Sequence, residues 1–257
     1  MDKKSNFREY VKIFDNPYAT LPLFLLIITD LLFIVLSSIG VLTQYFSSYY
    51  FSILIDGSYP EIFQYLKWFW IVLLLIFMIK KGKSLSYLAL ATVYFYSLLD
   101  DSLNFHEKLG TLIIADLDFS TPFNLSRQDC GEFLVSAISG MILIPAVVIA
   151  YYHGNHYFRK ISGDLLLLFI LLIFFGYFMD IFKHIFDLGP KIHIFLSYVE
   201  DSGEMFIASI TLWYVYLISV NELKDYRSII DFLRGKPGNQ SRSSQQYNSI
   251  TTSVNFK

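Results

Sequence analysis

The chain has 257 residues, of which 54% are hydrophobic, 18% aromatic and only 16% charged, with a formal net charge of −2 and a mean hydropathy of +0.48. A soluble domain usually carries about 45–50% apolar and about 25% charged residues, so this composition excludes an ordinary soluble domain. The absence of a basic excess gives no basis for nucleic-acid binding, and the single Cys130 excludes an internal disulfide and a cysteine-built metal site.

The first element is a short amphipathic segment over residues 1–19. Phe7, Tyr10, Val11 and Phe14 recur at helical spacing beside Lys3, Lys4, Arg8 and Lys12, the pattern of a helix lying on a membrane surface. The apolar run behind it is too long for a cleavable signal peptide, and no Ala-x-Ala-like site follows, so it is read as a retained span. A span needs about 20 mostly apolar residues. Six segments qualify, at 20–43, 62–80, 85–107, 132–152, 164–187 and 193–219. The segment 44–61 is rich in Tyr and Phe and is expected at the interface. The connection 111–131 carries Asp116, Asp118, Asp129 and an Asn124-Leu125-Ser126 sequon. Beyond the last span, Leu223, Tyr226, Ile229, Ile230 and Leu233 form a second amphipathic stripe over 221–234. The tail 235–257, rich in Gly, Ser, Asn and Gln, is expected to be disordered.

Most of the 20 Lys and Arg residues fall on one side of this arrangement: in the N-terminal segment, at Lys80, Lys81 and Lys83, at Arg159 and Lys160, and after residue 220. The positive-inside rule then makes both termini cytoplasmic. The expected protein is an all-α helix bundle with six transmembrane helices, in an inner or plasma membrane, with lipid as its immediate partner and homo-oligomerisation open.

Charged residues inside the spans point to function, because a carboxylate at the bilayer centre costs about 2.5–3.5 kcal/mol even on lenient scales. Asp100, Asp101, His106 and Glu107 lie in the third span, Asp180 and His184 in the fifth, and Glu200, Asp201 and Glu204 in the sixth. At about 1.5 Å rise per residue, the acids of all three helices fall in one layer, roughly 3–9 Å outside the midplane. Helical phase adds Asn104 to the face of Asp100 and Glu107, and places Ser197, Glu200, Asp201 and Glu204 on one stripe. Glu132 and His193 stand just above the layer, and Asp30 just below it.

Two histidines with several carboxylates suit a divalent metal such as Zn, Fe or Mn. The candidate ligands are Asp100, Asp101, His106, Glu107, Asp180, His184, Glu200 and Glu204. A metal would offset the repulsion between the acids and could activate water against a lipid-like substrate, with a free carboxylate as base. A second reading is a proton or ion pathway, since chains of carboxylates and His within spans mark such routes. Its inner continuation through Asp30 is poor on the sixth helix, where Thr211 is the next polar residue on the striped face. A third reading makes the charges helix-to-helix contacts of a sensor or complex subunit.

The segment Leu99-Asp100-Asp101-Ser102-Leu103-Asn104-Phe105-His106-Glu107 resembles a Leu-Asp-acid…His-Glu pattern of uncharacterised bacterial multi-pass membrane proteins. The segment Val199-Glu200-Asp201-Ser202-Gly203-Glu204-Met205 is similar to the acid-acid-x-x-Glu-Met element that accompanies it. Asp101 and Asp201 stand where the pattern carries Glu, which shortens their reach. The resemblance implies that the two motifs form one cluster, and it implies no activity. Membrane zinc hydrolases of the ceramidase and adiponectin-receptor type have seven spans and a three-His site with an H-x-x-x-H pair. Six predicted spans and no such pair within them set this chain apart.

Overall fold

The computed structural model describes residues 17–43, 48–81, 84–115, 126–179, 182–183 and 189–220. Both amphipathic flanks, the tail, the sequon, Asp116, Asp118, Asp180 and His184 lie wholly or largely outside these residues. Every regular element among the described residues is helical: α1 Pro17–Thr43, α2 Ser48–Phe51, α3 Tyr59–Lys80, α4 Tyr87–Leu103, α5 Phe105–Ala115, α6 Arg127–His153, α7 His156–Ile173 and α8 Pro190–Ser219. A π turn, Phe174–Phe178, continues α7.

Among the described residues, four helices are long and apolar enough to cross a membrane: Thr20–Thr43, Tyr59–Lys80, Arg127–His153 and His156–Phe178. The other two long helices fall short for identifiable reasons. Helix α4 has 17 residues. Helix α8 is long at 30 residues, but its carboxylates and hydroxyls dilute its apolar character. Leu21, Phe24, Leu25, Ile28, Leu31, Leu32 and Val35 of α1 are all exposed, as are Met141, Ile142, Ile144 and Ile149 of α6. Apolar faces this continuous are far larger than a soluble surface tolerates and require lipid. The chain is an all-helical integral membrane protein.

The long helices run alternately up and down. Thr43, Tyr59, Leu103, Arg127, Phe178 and Pro190 mark one end, the site end below; Lys80, Tyr87, His153 and His156 mark the other. Towards that other end the interior is apolar. Ile71, Leu75 and Met78 of α3, Leu90 and Tyr94 of α4, Phe158, Ile161 and Leu165 of α7, and Leu212, Val215 and Ile218 of α8 form one buried cluster. The α6–α7 corner is held by Arg159, whose guanidinium donates to the carbonyls of Tyr151 at 3.1 Å, Tyr152 at 2.8 Å and Gly154 at 3.1 Å. Those carbonyls at the end of α6 have no partner within their own helix, and a cation there also complements the helix dipole.

The expected third span, 85–107, is not one helix. It breaks at Asn104, which adopts the left-handed conformation at φ 49° and ψ 48°. Asn tolerates that region better than most side chains. The Asp100 carboxylate then accepts from the His106 backbone N–H at 3.0 Å, satisfying a free donor at the start of α5. The polar motif therefore ends one helix and caps the next. Its continuous helical phase, which put Glu107 on the Asp100 face, does not survive the break. Helix α5 folds onto α6, where the backbones meet at Gly110 and Gly131. A Cβ on Gly110 would stand 2.7 Å from the Glu132 nitrogen, so neither position has room for a side chain.

Candidate functional site

Two charged levels lie inside the bundle. The deeper one joins α1, α3 and α8. Lys67 Nζ donates to Asp30 Oδ1 at 2.9 Å, to the Met205 carbonyl at 3.0 Å and to Ser209 Oγ at 3.3 Å. Ser209 in turn donates to Asp30 Oδ2, and the Lys67 ammonium lies 4.9 Å from the centre of the Phe63 ring. Both side chains of the pair are 0% exposed. Each charge has one opposite charge, and all three ammonium protons have acceptors. This is what keeps a dry ion pair tolerable in an apolar medium. In the sequence Asp30 stands out as an intramembrane acid, whereas Lys67 carries no role. Their matching depth, each within about 4 Å of the centre of its helix, was the available signal.

The second level lies nearer the site end and has a different balance. Asp101 Oδ2 accepts from Trp68 Nε1 at 2.8 Å, and Tyr65 donates to the Asp101 carbonyl at 3.1 Å. Lys183 pairs with Glu200 and donates to Ser197 Oγ at 3.2 Å. Glu204 has Asp101, Asp201, Glu200 and Lys183 as its charged neighbours. Glu200, Asp201 and Glu204 thus share one described ammonium, Lys183, whereas Asp101 has Asp100, Glu61 and His106 as its charged neighbours. A cavity of about 230 Å³ opens beside them, lined by Leu54, Lys183, His193, Ile194, Ser197, Glu200 and Asp201.

Glu204 is shaped by the π turn of α7. Consecutive residues Phe175 and Gly176 meet consecutive residues Gly203 and Glu204 of α8. The Phe175 ring fills the space a side chain on Gly203 would need, and Glu204 Oε1 fills the space a Cβ on Gly176 would need. The widened turn is marked by the Met179 N–H bonding back to the Phe174 carbonyl.

The other expected site residues distribute around this core. Asp100 Oδ2 lies 3.1 Å from His106 Nδ1, an ion-pair distance whose alignment falls short of a hydrogen bond. The His106 ring faces Tyr177 at 6.0 Å. Asn104 donates to Asp56 at 3.0 Å and to Glu107 at 3.4 Å, which assigns Asn104 and Glu107 to the helix break. Glu132 accepts from Gln128 at 2.9 Å and interacts with His106 from α6. His193 lines the cavity, and Asp30 belongs to the deeper pair. Thr211 bonds within its own helix, to the Ile207 carbonyl at 2.7 Å. Among the described residues, no three His, Cys, Asp or Glu side chains are grouped to hold a metal ion.

One further buried acid stands below the Lys67 pair. Asp164 of α7 is 0% exposed and accepts from the Tyr214 hydroxyl of α8 at 2.7 Å. In the sequence Asp164 merely opens the expected fifth span.

Helical architecture, lipid-facing sides and an interior charged layer define a polytopic membrane protein with a buried carboxylate site. The chain belongs to the family described as Domain of unknown function (DUF8692), which matches residues 23–220. That match runs from within α1 to the end of α8 and so includes both charged levels. No curated protein and no solved structure matches the chain.

Proposed function

We propose that the protein is a six-span inner or plasma membrane protein with cytoplasmic termini, and that it moves protons or a small cation across the membrane. The carboxylate layer is its loading site, in the outer half. The observation that carries this reading is the series of ionisable groups facing α8 at successive depths. Glu200 and Asp201 come first, lining a cavity, with Glu204 one helical turn below them. Lys67 and Asp30 follow at Met205 and Ser209. Asp164 follows at Tyr214. On sequence grounds the route continued from Glu204 through Asp30 but was poor on the sixth helix; Lys67 beside Asp30 and Asp164 further down add ionisable groups on the facing helices. Groups that merely hold helices together have no need of an excess of negative charge beside an open cavity, because measured intramembrane hydrogen bonds contribute about 0.6 kcal/mol on average. Leu212, Val215 and Ile218 flank Tyr214 within the buried apolar cluster, so the arrangement supports a state loaded from the outer side.

The metal-enzyme reading has less support. Its described ligands are divided between a helix cap, an ion pair and the acidic layer, and Asp180 and His184 lie outside the described residues. The test is flux into liposomes containing the purified protein and pyranine, under a K⁺ diffusion potential. Protein-dependent acidification or cation uptake, lost in Glu204→Gln, is the expected result. The probes are protons, Na⁺, K⁺, Mg²⁺, Mn²⁺ and Zn²⁺. Vesicles no more permeable than empty ones to every probe would overturn the proposal. Stoichiometric transition metal in protein purified without chelator would restore the enzyme reading.

A further inference from the structure

We infer that Gly176 is a positioning residue for the Glu204 carboxylate, and that the π turn exists to bring its bare backbone against that carboxylate. The inference rests on the reading of Glu204 as the deepest acid of the loading site. Three observations carry it. An added Cβ on Gly176 would overlap Glu204 Oε1 itself, and the next atom it meets is Glu204 Cδ at 3.5 Å. The glycine is therefore matched to one carboxyl group, with no other atom within 4 Å apart from its own chain neighbours and helix backbone. The backbone around it is a π turn, an irregularity frequent at functional sites. Finally, the same turn is locked in register one residue earlier, where the Phe175 ring occupies the notch at Gly203.

A carboxylate held in this way cannot retreat towards α7. The charged groups around it are Asp101 from α4, Glu200 and Asp201 from its own helix, and Lys183. Any side chain at Gly176 would drive it from its place among them. Gly176 thereby sets how closely Glu204 approaches the other acids, and so how tightly the site holds a proton or small cation.

The experiment is infrared difference spectroscopy of the full-length protein in lipid across a pH series, with the Glu204 carboxyl band assigned by its loss in Glu204→Gln. Gly176→Ala is expected to move the midpoint of that band by about one pH unit or more, a tenfold change in proton affinity. Gly203→Ala disturbs the same helix contact through Phe175 and is expected to lower stability while leaving the midpoint near that of the wild type. A Gly176→Ala protein that folds and titrates Glu204 within about 0.2 pH units of wild type would overturn the inference. If Gly176→Ala does not fold, Glu204→Asp in the same background shortens the acid by one methylene and should restore folding. Failure of that rescue would also overturn it. The spectroscopic midpoint needs no flux. A moved midpoint without transport refutes the transport reading alone, and transport with an unmoved midpoint refutes the role of Gly176 alone.

Discussion

The Asp30–Lys67 pair and the acidic layer are built from the same kinds of side chain and meet α8 on adjacent turns, yet they solve opposite problems. The pair is closed: one positive charge meets one negative charge, both are 0% exposed, and Ser209 and the Met205 carbonyl take up the remaining bonds. The layer is open: Glu200, Asp201 and Glu204 have one described ammonium, Lys183, among them, and the first two line a cavity. Burying an ion pair rarely adds much net stability, but removing one partner is expensive because the survivor stays buried and unpaired. A set of like charges is the reverse case, since removing one member relieves the rest. The pair is thus fitted to hold α1, α3 and α8 together, whereas the layer is the part that the proposed transport reading loads.

That contrast is tested first at Lys67. Lys67→Met leaves Asp30 alone in the bundle and is expected to cost about 3–5 kcal/mol, seen as a large fall in thermal unfolding temperature in detergent. Adding Asp30→Asn should recover most of the loss. An unchanged unfolding temperature in the single variant would show that the pair carries no structural load. The next largest effect is expected where the two levels touch. Trp68 belongs to the apolar cluster and donates to Asp101. Trp68→Phe keeps an aromatic ring but removes that donor, and about 1–3 kcal/mol should be lost. A loss confined to this range, with the Asp30–Lys67 pair intact, would place Trp68 as the link between levels.

The lipid-facing helices were legible in the sequence because apolar runs of span length have few other uses, and the acids of the fourth and eighth helices were found because they interrupt such runs. What escaped notice depends on partners far apart in the chain. Lys67 looks like a flanking charge until Asp30 is placed opposite it, 37 positions away. Gly176 is an ordinary small residue in an apolar run until Glu204 is seen to occupy the space beside it. The break at Asn104 was hidden for a different reason. A single left-handed residue leaves no gap in hydropathy, so 85–107 read as one span although the chain turns there. Asp100 and His106, read as ligands converging from one helix face, are instead partners across that turn.

The turn gives a smaller effect on the open side of the comparison. Asn104→Gly keeps access to positive φ and loses the contacts to Asp56 and Glu107. Asn104→Val loses the same contacts and also forces a β-branched residue into the left-handed region, at a further cost of about 1–2 kcal/mol. Unfolding temperatures of the two variants separate backbone strain from side-chain bonding. If they coincide, the left-handed turn is not what fixes α5.

The smallest effect, and the one that bears most directly on the contrast, is expected at Asp201. Its charged neighbours include Glu200 and Lys183, so Asp201→Asn removes one negative charge from a group that has too many. Stability should change by less than about 1 kcal/mol and in the favourable direction, since like charges brought together are destabilising. The same Asp-to-Asn change at Asp30 takes the charge partner from a fully buried lysine and should cost several times more. Thermal unfolding of the two variants in one detergent makes the comparison direct. If Asp201→Asn is as damaging as Asp30→Asn, the layer is a structural network like the pair beneath it, and the excess of carboxylates beside the cavity no longer argues for a loading site.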